Sequence, residues 1–324
     1  MSVSRRGFLK TVVGGTVALG ASSLSKDAKA SSKEELPPNA VGILYDSNLC
    51  IGCQSCMVAC KKANNLPYEH TGNQDNWDNP IDLSSKTYNI IKMYKEGDKF
   101  AFVKRQCMHC LEPACAAACP VGALHKDEKT GIVTYDPSAC IGCRYCQVAC
   151  PYNIPKFEWD SPFPQIRKCQ LCNHLLEKGE YAACCAVCPT GASLFGPVEK
   201  LREEAQRRLL MKPGEYYEFP VNHIESGKQV HKAKPYIKHI YGLEELGGSQ
   251  CMILAGIDFV KLGLPELRKK SYVADLEGVS MGLYKYLLYP IAAFGGLAYL
   301  VKKKRSSRLT KKQSRRLICQ MQNL

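Results

Sequence analysis

Sixteen of the nineteen cysteines in this 324-residue chain fall into four closely spaced quartets. The quartets are Cys50, Cys53, Cys56 and Cys60; Cys107, Cys110, Cys115 and Cys119; Cys140, Cys143, Cys146 and Cys150; and Cys169, Cys172, Cys184 and Cys188. Proline directly follows the last cysteine of every quartet except the first, where Lys61 stands instead. In cubane iron–sulfur proteins, three close cysteines wrap one cluster and the fourth ligates the neighbouring cluster. The spacing therefore predicts 4Fe–4S clusters held in pairs.

Zinc sites and disulfide scaffolds also use clustered cysteines. A structural zinc ion needs only four ligands, often from two C-x2-C pairs, and requires neither a third close cysteine nor a following proline. Disulfides are common in exported chains, but three cysteines separated by only two residues suit a cluster loop better. Both alternatives therefore explain the pattern less well.

An internal repeat supports this interpretation. The C-I-G-C sequence at Cys50–Cys53 recurs at Cys140–Cys143, ninety residues later, and a Tyr-Asp pair precedes both at the same distance. Separately, Cys119–Ala123 resembles Cys188–Ala192. Duplicated modules of this kind predict an α+β fold built from ferredoxin-like dicluster units.

Three cysteines lie outside the quartets. Cys185 stands next to Cys184, so the ligand register there is ambiguous, although the C-x3-C spacing to Cys188 favours Cys184. Cys251 precedes an apolar run and is expected in the core. Cys319 lies near the C-terminus and is expected to be a free thiol.

Two histidines lie close to the cysteines, His109 inside the second quartet and His174 just after Cys172. Either could hydrogen-bond near a cluster and shift its reduction potential, but ordinary surface or core histidines are commoner. Nothing in the sequence suggests a nucleophile–base pair, a phosphate loop or a pterin site. The pattern favours one-electron transfer by a protein without a catalytic site of its own.

Patterning predicts several elements between and after the quartets. Apolar residues on both sides of Glu96–Asp98 predict a hairpin, and a second hairpin is expected to turn at Lys129–Gly131. A helix should begin at Pro197 and end before Pro213. Its apolar face is formed by Val198, Leu201, Ala205 and Leu209. The cluster domain should span residues 31–212. Residues 213–280 carry few sequence motifs and are expected to link this domain to the C-terminal membrane segment and to cover a partner.

The net charge of +14 is concentrated at the two ends of the chain, so a nucleic-acid partner is not expected. Residues 1–30 carry +4 and residues 302–324 carry +9, leaving the body nearly neutral. Arg5 and Arg6 precede a mild apolar stretch and a small-residue pattern at Ala28–Ala30. These features predict a twin-arginine (Tat) signal peptide, which would carry the folded, cofactor-loaded protein through the Tat translocase.

The C-terminal end predicts a membrane anchor. Residues 281–301 include one charged residue, Lys285, and would span about 31 Å as a helix. The basic segment 302–324 follows and should stay cytoplasmic. The expected topology places the body on the periplasmic side of the inner membrane.

Together these features resemble the four-cluster ferredoxin-like subunits of respiratory complexes, including those of formate dehydrogenases, dimethyl sulfoxide reductases and nitrate reductases. Within this family the likeness is greatest to the iron–sulfur subunits of membrane-bound uptake nickel–iron hydrogenases. It covers the cysteine region, Gln106–Cys110, Gly142–Cys146, and the Tyr-Gly and Gly-Gly-Ser-Gln sequences within 241–250.

The resemblance implies four ligand sets that cross between quartets. The first set is Cys50, Cys53, Cys56 and Cys188; the second is Cys60, Cys169, Cys172 and Cys184; the third is Cys107, Cys110, Cys115 and Cys150; the fourth is Cys119, Cys140, Cys143 and Cys146. Some relatives carry tryptophan in place of a third-quartet cysteine and hold a three-iron cluster. Cys143 and Cys146 are both present here, which favours four full cubanes.

The resemblance also implies the partners. Electrons would pass from hydrogenase small and large subunits, with the small subunit in contact, to a multi-helix quinone-reactive membrane subunit. One rival is the iron–sulfur subunit of a formate dehydrogenase or of a dimethyl sulfoxide or polysulfide reductase. Another is a structural or maturation protein whose clusters only brace the fold.

Overall fold

The computed structural model describes residues 36–69, 79–273, 290 and 293–304. Residues 31–273 belong to one compact unit, which contains all the elements named below. Residues 293–304 are helical and belong to a second unit. The predicted signal peptide, most of the predicted anchor at 281–301 and most of the basic tail lie outside the described residues. Among the helices that are described, none is both long and apolar enough to cross a membrane.

Short helices and strands alternate along residues 36–273. The strands are β1 (Val41–Asp46), β2 (Ile90–Glu96), β3 (Lys99–Arg105), β4 (Leu124–Lys126), β5 (Val133–Tyr135), β6 (Lys156–Phe157), β7 (Ile166–Arg167), β8 (Ser193–Pro197), β9 (Tyr216–Pro220), β10 (Lys228–Lys232) and β11 (Cys251–Leu254). The α-helices are α1 (Ser55–Ala63), α2 (Ala114–Ala117), α3 (Tyr145–Ala149), α4 (Asn173–Leu176), α5 (Ala183–Ala186) and α6 (Val198–Leu209), and a 3₁₀ turn covers Glu245–Gly247. This mixture confirms the α+β class.

A three-stranded sheet in the order β11-β1-β8 forms the middle layer of the unit. β1 pairs in parallel with β11 and antiparallel with β8. Because side chains alternate along a strand, Ile43 and Tyr45 face the core that contains most of the cysteines, whereas Leu44 packs with Leu201 of α6. Both faces of β1 are therefore covered, which explains its almost uninterrupted apolar sequence.

Both predicted hairpins are confirmed. β2 and β3 pair antiparallel from Ile90–Arg105 to Glu96–Lys99, with the turn at residues 97–98. β4 and β5 pair across residues 127–132, where the Asp127 carboxylate accepts hydrogen bonds from the backbone N–H groups of Lys129 and Thr130. The first hairpin contributes Ile91 to the wall of one cysteine site described below, and its flanking residues Asn89 and Gln106 to the wall of another. The second hairpin connects the second quartet to the third.

The predicted helix after Pro197 is also confirmed as α6, and it carries a buried ion network. Arg208 is fully buried; its Nη1 donates to Asp46 Oδ2 at 2.9 Å and its Nε donates to Glu204 Oε1 at 2.7 Å. The Tyr236 hydroxyl donates to the same Asp46 oxygen at 2.7 Å. Since Asp46 ends β1 four residues before Cys50, this network fixes α6 against the loop that opens the first quartet.

Replacing Arg208 with methionine should destabilise the protein by about 3–5 kcal/mol, because it leaves buried Asp46 without a cation. Guanidinium unfolding of the cluster-loaded protein, measured anaerobically, should show a lower midpoint. Lys200→Met, which removes an ion pair with Glu225 between two exposed side chains, should leave the midpoint nearly unchanged. Equal midpoints for the two variants would contradict the role assigned to the network.

Residues 213–273 are part of the same unit as the cysteines. β11 forms one edge of the central sheet, and Cys251 is buried there, as the sequence predicts. Gly42 of β1 allows this approach, because a Cβ atom at that position would lie 1.9 Å from the carbonyl oxygen of Gln250. Gln250 also donates through Nε2 to the carbonyl oxygens of Val41 and Thr130, joining the sheet to the second hairpin.

Candidate iron–sulfur sites

The first and third quartets lie on equivalent loops. In each loop a glycine and a later residue adopt positive φ, Gly52 and Gln54 in the first and Gly142 and Arg144 in the third. At Gly52 a side chain would also collide with the ring of Phe102. The left-handed turns let three cysteines surround one space before α1 or α3 begins. The ninety-residue sequence repeat is therefore also a structural repeat.

The first set lines one cavity between β1, α1 and the turn after Cys188. Its four thiols, from Cys50, Cys53, Cys56 and Cys188, all contribute to the wall. Burial raises the pKa of the Cys56 thiol to about 12, and the nearby Cys50 and Cys188 thiols add to this effect. The Cys188 sulfur accepts a hydrogen bond from the Ser193 backbone N–H at 3.3 Å. Thus the structure brings Cys188 to the first quartet.

The second set lines another cavity. The wall includes the thiols of Cys60, Cys169, Cys172 and Cys184. Burial raises the pKa of Cys60, and the neighbouring Cys184 and Cys172 thiols raise it further. Cys60 accepts from Asn64 Nδ2 at 3.7 Å, and Cys169 accepts from the Leu171 backbone N–H at 3.4 Å. Donors directed at the sulfurs favour the thiolate form that a cluster needs.

The third set is also assembled. Cys107 and Cys115 are buried, and Cys110 and Cys150 are partly exposed. Burial raises the pKa of Cys110, and the thiols of Cys107, Cys150 and Cys115 add to the shift in that order. These four sulfurs are therefore mutual neighbours, although Cys150 belongs to a different quartet.

The fourth set lines a cavity of its own. The wall includes Cys119, Cys140, Cys143 and Cys146. Burial raises the pKa of Cys146 to about 11, helped by the other three thiols. At Cys119 burial is opposed by the backbone N–H groups of Leu124 and Val121, which lower the pKa of the thiol. Cys140 accepts from the Gly142 N–H at 3.4 Å.

The four sets follow one another in space in the order first, second, third, fourth. Cys184 of the second set is close enough to raise the pKa of Cys56 in the first, and Cys107 of the third set raises that of Cys169 in the second. Cys146 of the fourth set in turn raises the pKa of Cys115 in the third. The interior positions belong to the second and third sets, and the ends belong to the first and fourth.

Cys184, not Cys185, faces the second cavity. Cys184 is among the residues of the wall, whereas Cys185 is fully buried in the apolar core beside it. Their thiols interact: a hydrogen bond from Cys185, together with nearby Lys104, lowers the pKa of Cys184 despite its burial.

Cys184→Ala should remove the second cluster and lower the iron content by about four atoms per chain. Cys185→Ala should keep the full iron content, because its side chain lies in the core. Iron and acid-labile sulfide, measured on anaerobically purified variants, decide between them. Loss of iron from the Cys185 variant alone would show that Cys185, and not Cys184, is the ligand.

The two histidines have different surroundings. His174 Nε2 donates to the carbonyl oxygen of Ala63 at 2.9 Å and joins α4 to the end of α1. His109 is fully buried, and its Nδ1 accepts from the Val133 N–H at 3.1 Å. Burial, followed by nearby Lys168, lowers the pKa of His109, so the ring is neutral and its proton is on Nε2.

Two buried lysines beside the cysteines were not foreseen from the sequence. Lys168 is 3% exposed and donates to the carbonyl oxygens of Val133 and Cys169. Lys104 is 1% exposed, and its Nζ lies 3.3 Å from Ser193 Oγ. Each lysine lies within three residues of the first cysteine of a quartet, and this proximity is the one sequence signal that could have indicated them. The alternation of side chains along β3 does not predict that Lys104 is buried.

The chemistry of these donors fits cubane clusters. All eighteen cysteines in the described ranges are free thiols. In the same ranges, no three His, Cys, Asp or Glu side chains converge closely enough to bind one metal ion. The four sulfurs of a set instead surround a shared space, as is required when each sulfur binds a different iron atom of one cubane cluster. Thiols with raised pKa would release protons when they bind metal.

Comparison with known proteins agrees with this arrangement. Residues 49–123 and residues 99–198 each match the family described as "4Fe-4S dicluster domain". The "Hydrogenase-2 operon protein HybA" of Shigella flexneri is 41% identical over 93% of this chain and 95% of that protein. The nitrate-inducible formate dehydrogenase iron–sulfur subunit of the same organism is 32% identical over 80% of this chain and 81% of its own length.

The formate dehydrogenase iron–sulfur subunit of Haemophilus influenzae is similarly related, at 33% identity over 79% of this chain and 76% of that protein. The match to HybA extends beyond the cysteine region to nearly the full length of both chains. The sequence resemblance to iron–sulfur subunits of respiratory complexes is thereby confirmed. The chain belongs to the family of HybA and its relatives, which are iron–sulfur electron-transfer subunits of oxidoreductase complexes.

Proposed function

We propose that this protein relays single electrons through four 4Fe–4S clusters, one in each cysteine set, and has no catalytic site of its own. The observation that carries the proposal is the succession of the four sets through the core. When bound, the clusters would supply one-electron redox chemistry. The chain's own residues hold each cluster through four thiolates, exclude water from the two interior positions and direct backbone N–H groups at the sulfurs.

Electrons would enter and leave at the first and fourth sets. Exposed apolar side chains surround these two sets on their repeated loops: Ile51 and Val58 beside the first, and Ile141, Tyr145 and Val148 beside the fourth. Exposed apolar groups at such a position are typical of surfaces that dock a partner. The paired interior sets would carry the electron between two docked redox proteins.

The location and the partners follow from the two ends of the chain and from the relatives. The twin-arginine segment would export the loaded protein, and residues 281–301 would anchor it with its body on the periplasmic side. The name of the HybA relative refers to a hydrogenase operon. We infer a nickel–iron hydrogenase as electron donor, contacted through its small subunit, and a quinone-reactive membrane subunit as acceptor, so that hydrogen oxidation feeds anaerobic respiration.

Adding hydrogen anaerobically to the complex, purified from gently solubilised membranes, tests this assignment. Hydrogen should bleach the broad visible iron–sulfur absorption, and formate should not. Bleaching by formate but not by hydrogen would instead assign the protein to a formate dehydrogenase complex, the enzyme named for two of the relatives. Clusters that respond to neither donor nor to a quinol analogue would favour a structural role.

A further inference from the structure

Lys104 lies where the first two cysteine sets meet. It is on β3, cross-strand from Ile91, which forms part of the wall of the first cavity. Two residues later in the chain, Gln106 forms part of the wall of the second cavity. The Lys104 Nζ hydrogen-bonds Ser193 Oγ at 3.3 Å, and the backbone N–H of Ser193 donates to the Cys188 sulfur of the first set. The ammonium group is thus close to both cavities.

The charge of Lys104 needs a buried anion, because an isolated ammonium group in a protein interior is very unfavourable. Among the described residues no carboxylate forms an ion pair with it, and its hydrogen-bond partner Ser193 is neutral. The anions available at this place are the cysteine thiolates that would ligate the first and second clusters, whose cavities lie on either side of Lys104. The negative charge of these ligands would keep the buried lysine charged between the two clusters.

We propose that the buried ammonium group of Lys104 raises the reduction potentials of the first and second clusters together. This inference rests on the proposed function, because it needs both clusters to be present. Net charge and hydrogen bonds around a cluster set its potential. A fixed cation in a water-poor site stabilises the reduced, more negative form of each neighbouring cluster. Each reduction adds one electron from the relay, and Lys104 keeps its proton.

The third and fourth clusters should not share this effect to the same extent. Lys104 and its neighbours on the first hairpin adjoin the first two cavities, whereas no residue of β2 or β3 lines the cavity of the fourth set. Lys168, the other buried lysine beside the cysteines, donates to the carbonyl oxygens of Val133 and Cys169 instead. Lys104 would therefore separate the potentials of the first pair of clusters from those of the second pair.

The test is an anaerobic redox titration of the full-length protein in its complex, followed by electron paramagnetic resonance. In Lys104→Met and Lys104→Gln, two of the four couples should shift downward by at least tenfold in their reduction equilibrium, which is about 59 mV for one electron. Lys104→Arg, which keeps the positive charge, should leave these couples close to their wild-type potentials. Ser193→Ala, which keeps the charge, and Lys200→Met, which removes an exposed lysine, should move no couple by as much.

The outcomes separate this inference from the proposed function. Wild-type protein without iron–sulfur signals would overturn the proposed function itself. Four clusters whose potentials are unchanged in both neutral variants would overturn only the tuning role of Lys104. Equal shifts of all four couples would also overturn it. Loss of iron from both neutral variants, with iron retained in Lys104→Arg, would make the charge a requirement of assembly and would likewise overturn tuning.

Discussion

Cys115→Ala should stop electron transfer through the protein, although Cys115 ligates neither of the two end clusters. Cys115 is buried in the third set, one of the two interior positions, so the chain of clusters offers no path around it. The iron content should fall by about four atoms per chain. Hydrogen-driven quinone reduction in membranes should fall to the background rate.

Cys251→Ala is the matched control for this result. Cys251 is also buried, and the Cys107 thiol of the third set is close enough to raise its pKa, yet it belongs to none of the four sets. This variant should keep its iron and most of its activity, at a modest loss of stability. Quinone reduction that survives in the Cys115 variant, or fails in the Cys251 variant, would contradict the assigned order of clusters.

The second large effect concerns Cys56 and Cys60, which are one turn apart on α1 and face different cavities. Cys56→Ala and Cys188→Ala should abolish the same redox couple, although the two residues are far apart in sequence. Cys60→Ala should abolish a different couple. The reason is that the last cysteine of a quartet ligates the neighbouring cluster.

Redox titration followed by electron paramagnetic resonance distinguishes the couples, and iron content confirms that each variant loses one cluster. Cys53→Ala serves as a further member of the first set and should match Cys56→Ala. If Cys56→Ala and Cys60→Ala instead abolished one and the same couple, each quartet would hold its own cluster, and the crossed arrangement would be wrong.

Local sequence patterns predicted the parts of the fold that depend on neighbours in the chain. The hairpin around Gly97 and helix α6 follow from alternation and from period 3.6, and both are present. The cysteine spacing predicted loops that gather three thiols. In each case the signal lies within about a dozen residues, the range over which periodicity specifies an element.

Long-range features were not predictable in this way. The pairing of β11 with β1 joins segments separated by more than two hundred residues. Nothing in the short sequence Cys251–Leu254 indicates which strand it pairs with. The burial of Lys104 also escaped prediction, because a lysine on a hairpin is ordinarily solvated. Its position depends on where Ser193 and the cysteines of distant quartets come together.

The most direct test of the central claim is to count the clusters and to follow their reduction in the same anaerobic sample. The account predicts about sixteen iron atoms and as many sulfides per chain, in four one-electron couples that hydrogen can reduce within the complex. Substoichiometric iron, bound zinc, or clusters that remain oxidised at every potential the donor and the quinone can reach would contradict an electron relay.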